Sequence, residues 1–305
     1  MSITVFGSVN LDLTVSVDLM PEPGVTSHAT GFLKGLGGKG ANQAVAATRL
    51  ARCPVRFVAA IGADAFGASL RASLEGLGVD TDHLVTMPDH DSGMALIHVD
   101  ATSQNTITVV GGANMAWPAD GPDAECFEGC KVALFQLETP QNATIAAMRK
   151  ARAAGATVIL DPAPIAATGM DALLAEADII TPNETEAAGL SGKMPATFDE
   201  ALDVARSLCA RGPQTVIVKL GAKGLAYACK DGRSGKLEPF KVNAIDTVAA
   251  GDSFNGGLAA ALAEGMELDA ALRFASAAGA LATTRKGASE AVPDRADVDA
   301  LILKG

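Results

Sequence analysis

Aromatic side chains are scarce in this 305-residue chain. One tryptophan, one tyrosine and ten phenylalanines make up 4% of it, while hydrophobic residues make up 49%. A core of the size such a chain can bury must therefore be built from Ala, Val, Leu and Ile. Positive charge is also short: 24 basic residues face 35 acidic ones, a formal net charge of −11. That leaves no basic face to meet a nucleic-acid backbone, although backbone amides and Mg²⁺ would still let an acidic chain hold ATP. The five cysteines (Cys53, Cys126, Cys130, Cys209, Cys229) are odd in number and lack a Cys-x-x-Cys pair. Free thiols in a reducing cytoplasm are expected. Cys126 and Cys130 are spaced to share a helix face, but no histidine lies near them to complete a metal set. No basic-then-apolar leader opens the chain, so no signal peptide is expected. No apolar run is long enough and charge-free enough to span a bilayer. Internal repeats, low-complexity tracts and linkers are missing too, which predicts one domain over 1–305.

The segments that are present alternate. Ile3 to Val9 is an apolar, β-rich run and predicts a buried first strand. Residues 13–36, with two prolines and alternating Thr14-Val-Ser-Val, predict a small strand pair off the main sheet. Val55 to Ile61 is another strand, and Ala65 to Gly76 a helix. Met94–Val99 and Thr106–Val110 flank a polar turn at 100–105 and predict a hairpin. From Val132 onward strand and helix take turns: strand to Leu137, helix Asn142–Ala154, strand Thr157–Leu160 ending in Asp161-Pro, helix Asp171–Ala177, strand Asp178–Ile180, helix Thr197–Ala210, strand Thr215–Leu220. Strand Leu225–Cys229 and helices Ala270–Thr283 and Arg295–Leu303 complete the series. Such alternation means βαβ units around a parallel sheet with covered faces.

Two glycine-rich loops open helices. The first is Gly35-Leu-Gly-Gly-Lys-Gly-Ala-Asn42, ahead of Gln43-Ala-Val-Ala-Ala. It lacks the spacing of a phosphate-binding Walker A loop, and a flexible turn with a solvated Lys39 fits it equally. The second is Asp246-Thr-Val-Ala-Ala-Gly-Asp-Ser-Phe-Asn-Gly-Gly257, ahead of a strong helix former. First-turn amides have no internal partner and the helix dipole favours anions there. Ala249, Ala250 and Gly251 are small enough to admit a ligand, which predicts an anion hole. Asp252 at its edge is placed to take a proton from a hydroxyl. The same string also fits a loop ending in an N-cap Asp. Asn10 and Asp12 suit adjacent hydroxyls, or an Asx turn. Asn183-Glu-Thr-Glu186 reads as an ordinary capping-box helix start.

Taken together, these strings closely resemble the ribokinase-like (PfkB) carbohydrate kinases, in the family's order and at similar spacing over nearly the whole chain. The resemblance implies a three-layer α/β/α domain with a mostly parallel central sheet and a small β-sheet lid, built from insertions at about 13–36 and 94–111. It implies transfer of a phosphoryl group from ATP to O5 of D-ribose. Kinases of 2-deoxyribose, fructose or a nucleoside, and a sugar-binding regulator without catalysis, are the alternatives. Asp252 would be the base, with Ala249, Ala250 and Gly251 in the anion hole. Asn10, Asp12, Gly38, Lys39, Asn42 and Glu138 would contact the sugar. The nucleotide would lie along Asn183, Lys219, Gly221, Lys223, Gly224, Gly251 and a loop containing Ser276. Glu186 would organise Mg²⁺ through water. A monovalent cation such as K⁺ would sit among Asp246 and the carbonyls of Val248, Ala282, Arg285, Gly287 and Ala291. A cytoplasmic homodimer joined through the lid is implied, with no nucleic-acid or membrane partner. Two residues depart from the pattern: Ser253 replaces a frequent threonine, and Lys219 stands where a small polar residue is common.

Overall fold

The computed structural model describes residues 2–102 and 104–304. Thirteen strands and nine helices are named here in chain order. The first third contains β1 (Ser2–Phe6), β2 (Asn10–Ser16), β3 (Gly31–Gly37), α1 (Lys39–Leu50), β4 (Val55–Gly62), α2 (Ala65–Gly76), β5 (Leu84–Met87), β6 (Gly93–Val99) and β7 (Asn105–Val110). The middle contains β8 (Cys130–Phe135), α3 (Gln141–Ala153), β9 (Thr157–Leu160), α4 (Met170–Glu176), β10 (Ile179–Ile180), α5 (Glu184–Ser191), α6 (Phe198–Cys209) and β11 (Thr215–Lys219). Then come β12 (Leu225–Cys229), β13 (Ser234–Leu237), α7 (Ala250–Ala263), α8 (Leu268–Ala282) and α9 (Arg295–Lys304).

The large sheet runs β13-β12-β11-β10-β9-β8-β1-β4-β5. Its strands from β5 to β11 are parallel, and β12 and β13 close one edge antiparallel. Period-two patterning assigns the side chains to two cores. Ile3, Val5, Phe57, Ile61, Leu134, Ile159 and Ile217 pack on one face with α1, α2, α7 and α8. Phe6, Val58, Ala60, Phe135, Val158, Leu160, Val216 and Val218 pack on the other with α3, α4, α5 and α6. Alanine carries much of this packing: Ala259, Ala260, Ala261, Ala275, Ala277 and Ala278 are all fully buried. Helices α1 and α7 approach so closely that a β-carbon on Gly256 would lie 2.4 Å from that of Ala46.

The second sheet, ordered β3-β2-β6-β7, lies off the first. Its outer pairs are antiparallel, but β2 and β6 run parallel. It begins at Asn10 and Gly93, earlier than the 13–36 and 94–111 segments expected from sequence. Residue 103, in the turn expected at 100–105, lies outside the described residues. Short edge strands β5 and β13 were not foreseen. Because the chain leaves β1 for β4 on one side and β8 on the other, the C-terminal ends of β1 and β8 mark a switch point, where open α/β sheets bind ligands.

Candidate active site

The loops leaving β1, β8, β9, β10 and β11 at the C-terminal edge of the parallel sheet each bring a polar side chain. After β1 come Ser8, Asn10 and, in β2, Asp12. After β8 comes Glu138, after β9 Asp161, after β10 Asn183 and Glu186, and β11 ends on Lys219. Helices α1 and α7 point their N-termini into the same region with Lys39 and Asp252.

At the start of α7, Ala249 has φ 56°, the one non-glycine left-handed residue among those described. Such strain gathers at functional turns. Here it leaves the amides of Gly251 and Asp252 without an acceptor among the described residues, while Ser253 N donates to Ala249 O at 2.9 Å. Two amides without an acceptor thus stand at the positive end of the α7 dipole, where the sequence predicts an anion hole. The Ala250 amide reaches only Thr247 O, at 3.4 Å.

The Asp252 carboxylate is buried and held from both sides. Gln43 Nε2 donates to Oδ1 at 3.0 Å, and Asn42 Nδ2 to Oδ2 at 3.2 Å. Burial raises its pKa above the ordinary carboxylate range. Lys39 opposes that shift and Asp161 adds to it. Asn42 is itself fixed, because Ser289 Oγ donates to its Oδ1 at 2.7 Å. Gln43 also donates to Asp161 Oδ2 at 3.0 Å and accepts from Gln136 Nε2 at 2.6 Å.

Among the residues expected to contact a sugar, Asn10 is buried with its Oδ1 accepting from Asn114 Nδ2 at 2.8 Å. Its own amide nitrogen stays available as a donor. Asn114 also bonds Val9 N at 2.9 Å and Val9 O at 3.1 Å, locking the start of β2. The Asp12 pKa is raised to about 7, by burial first and then by the charges of Glu138 and Glu290. Glu138 accepts from Lys39 N at 3.0 Å and from Ser8 Oγ. The Lys39 side chain faces Asp252, Asp161, Glu138 and Glu186. Burial works against its charge, but these carboxylates hold its pKa above the lysine range. Gly38, at φ 90°, allows the chain to turn here.

Asn183 and Glu186 form the capping box of α5. Glu186 N donates to Asn183 Oδ1 at 2.8 Å, Asn183 N to Glu186 Oε2 at 2.8 Å, and Asn183 Nδ2 to Glu186 Oε1 at 2.9 Å. Both carboxylate oxygens are therefore engaged. Burial, and then Asp161, raise its pKa. That donor set fits Mg²⁺ held through water rather than by direct ligation. Asp246 joins two loops, accepting from Val248 N at 3.0 Å and from Gly287 N at 3.1 Å. Its own backbone amide and that of Ile245 donate to Thr283 O. The loops meant to enclose a monovalent cation are thus adjacent, although the carboxylate already serves their amides.

The nucleotide residues are less uniform. Gly221 and Lys223 form a tight turn after β11, closed by Gly224, and Lys223 Nζ donates to Ala196 O at 2.9 Å, which aims its charge along the surface. Ser276 lies in the middle of α8, not in a loop as expected. An amphipathic run of alanines continued the helix through it. Sequence reasoning assigned no role to Gln43, Asn114, Asp161 or Ser289. For Asp161 a signal was present, a carboxylate closing a parallel strand. The others touch the site only through tertiary contacts.

Comparison with known proteins agrees with this fold. The chain is 40% identical over 302 residues to a ribokinase of Haemophilus influenzae, covering 96% of each. The ribokinase structure of Thermotoga maritima superposes with a TM-score of 0.91 at 35% identity, over the full length of both chains. A ribokinase of Arabidopsis thaliana, solved with ribose and ATP, superposes at 0.90 with 35% identity over 98% of both. The sequence model of the pfkB family carbohydrate kinases matches residues 1–295, and the chain belongs to that family.

Proposed function

We propose that this chain phosphorylates D-ribose at O5 with ATP. The observation that carries the reading is Asp252: a buried carboxylate, fixed by Asn42 and Gln43, one residue from an anion hole of free amides. In the reaction Asp252 takes the proton of the 5-hydroxyl. The freed oxygen bonds the γ-phosphorus, the bond to the β-phosphate oxygen breaks, and ADP leaves. The amides of Gly251 and Asp252, with Ala249 and Ala250 shaping the turn, meet the developing charge. Asn10 donates to a sugar hydroxyl, Asp12 accepts from a vicinal pair, and Gly38, Lys39, Asn42 and Glu138 complete the pocket. ATP extends from Gly251 along Lys219, Gly221 and Gly224.

Mg²⁺, when bound, would neutralise phosphate charge through waters held by Glu186. K⁺ near Asp246 would stiffen the loop that presents Ala249. The lid sheet closes over the sugar and excludes water, and pairs with the lid of a second copy. A single domain with its lid acting in the cytoplasm completes the reading.

ADP release from MgATP tests it, with D-ribose set against 2-deoxyribose, fructose and nucleosides, with and without K⁺. Ribose-dependent release raised by K⁺ is expected, because Asp12 is positioned for a diol that 2-deoxyribose lacks. Release with fructose or a nucleoside alone would move the pocket assignment. Sugar binding without release from any of them would overturn the kinase reading.

A further inference from the structure

Lys219 closes β11 with its side chain mostly buried, and its ammonium lies 3.5 Å from Asp161 Oδ1. It also lies 5.8 Å over the ring centre of Phe254, on α7. A β-carbon built on Gly251 would be 3.4 Å from Lys219 Nζ. The ammonium therefore stands beside the residue whose free amide opens the anion hole. Asp161, nearly inaccessible to solvent, uses its other oxygen to accept from Gln43, and the same Gln43 nitrogen reaches Asp252. One continuous set of contacts thus runs from Lys219 through Asp161 and Gln43 to Asp252. An anion hole made of two amides supplies partial charges, whereas an ammonium supplies a whole one. At the edge of a water-poor site that difference is large.

We propose that Lys219 contacts the phosphoryl group in transfer, and that Asp161 is a positioning residue that holds the ammonium over the Gly251 amide. This rests on the kinase reading and deepens it. Lys219 then serves the reacting end of ATP rather than its ribose or base. A mainly structural Asp161–Lys219 pair would leave the dependence on ATP unchanged, so kinetics separate the two roles.

The test is steady-state ADP release by the wild-type chain and by Lys219→Met, Lys219→Arg, Asp161→Asn and the double variant Asp161→Asn/Lys219→Met, varying MgATP and ribose separately. Lys219→Met is expected to lower kcat/KM for ATP by about 100-fold while leaving KM for ribose within about twofold. Lys219→Arg should restore about tenfold of that loss, as arginine keeps the charge but not the point geometry. Asp161→Asn keeps an acceptor for Gln43 and should cost about tenfold alone, yet nothing further on the methionine background. Lys219→Thr answers the same question should the methionine variant fail to fold. Wild-type values of kcat/KM for ATP in Lys219→Met, or in Lys219→Thr, overturn the proposal. So does a full Asp161→Asn penalty on the methionine background, because Asp161 would then act by another route. A wild-type chain that releases no ADP with any sugar overturns the kinase reading, and this proposal with it. That outcome is distinct from an active wild type with indifferent variants.

Discussion

Asp12 is under two opposed demands. In the proposed sugar pocket it accepts from two hydroxyls, which takes the ionised form, yet its surroundings favour the protonated form, with the pKa raised to about 7. The folded-state value lies above the ordinary 3.8, so the folded chain binds the proton more tightly. Stability from this group is fullest at low pH, declines as pH rises from about 4 to 7, and is gone above that. Two trends should therefore cross: KM for ribose falls as pH rises through 7, while the melting temperature falls over the same rise. Asp12→Asn should stabilise the fold at pH 8 by about 2–4 kcal/mol and raise KM for ribose severalfold. Calorimetry at pH 5 and pH 8 checks the sign, since the gain should shrink towards acid. Asp252→Asn keeps the shape and one accepting oxygen, turns an NH2 toward one of its two donors, and removes the base. It should cut kcat by at least about 10²-fold with little change in ribose affinity, and a near-normal kcat would remove Asp252 from the role of base. Wild-type kcat should itself fall on the acid side at a pH above the usual carboxylate range, as burial raises Asp252. At this scale the sequence was legible where a residue is placed by its own loop-helix junction, as Asp252 and Asn183 are. It was silent where a residue acts through others. Gln43 is an ordinary helix residue until the fold brings Asp161, Gln136 and Asp252 to it.

Helix α1 shows how an element can defy its propensity. Its first turn holds Gly40, a poor helix former, and Asn42, a middling one, and the sequence pattern supports a helix only from Gln43. Contacts decide otherwise: Ala41 N donates to Ser8 O at 2.8 Å, and Glu138 accepts the Lys39 amide. Gly38 makes this possible. At φ 90° it turns the chain into the helix, and a β-carbon there would lie 2.9 Å from both Asn10 N and Val9 Cα. Gly38→Ala is thus expected to cost about 2–4 kcal/mol and to push Lys39 and Asn42 away from the sugar, raising KM for ribose. A melting temperature within a degree of wild type would show that the turn relaxes more easily than its contacts suggest. Strands β9 and β12 were read from sequence to the residue, being apolar runs between clear turn signals. Strands β5 and β13 were not, because Ser234-Gly-Lys-Leu has no β signature and owes its conformation to pairing with β12. Edge strands of this kind, short and carrying a lysine, resist pairing with other chains.

The layered fold was legible because alternation of strand and helix leaves few topologies open. How two segments 60 residues apart join into one lid was not, since the parallel pairing of β2 with β6 has no local signal. That lid is also the least finished surface of the molecule. Its outer strands β3 and β7 expose Phe32, Leu33, Ile107, Val109 and Val110, with Leu33 at 70% of its full exposure. Exposed apolar side chains on both outer strands of a small sheet, at two open edges, mark a candidate interaction surface. In the proposed homodimer, the same apolar strands would cover each other about a two-fold axis. Sedimentation should give about twice the 30.8 kDa mass of one chain. Leu33→Asp with Val109→Lys should yield a monomer that still melts cooperatively, as both side chains lie outside the two cores. If the pairing also steadies the proposed closure over the sugar, that monomer binds ribose more weakly with kcat little changed. A wild-type chain that sediments as a monomer would leave the lid face without its partner and remove the homodimer from the proposed function, leaving the chemistry at Asp252 as it stands.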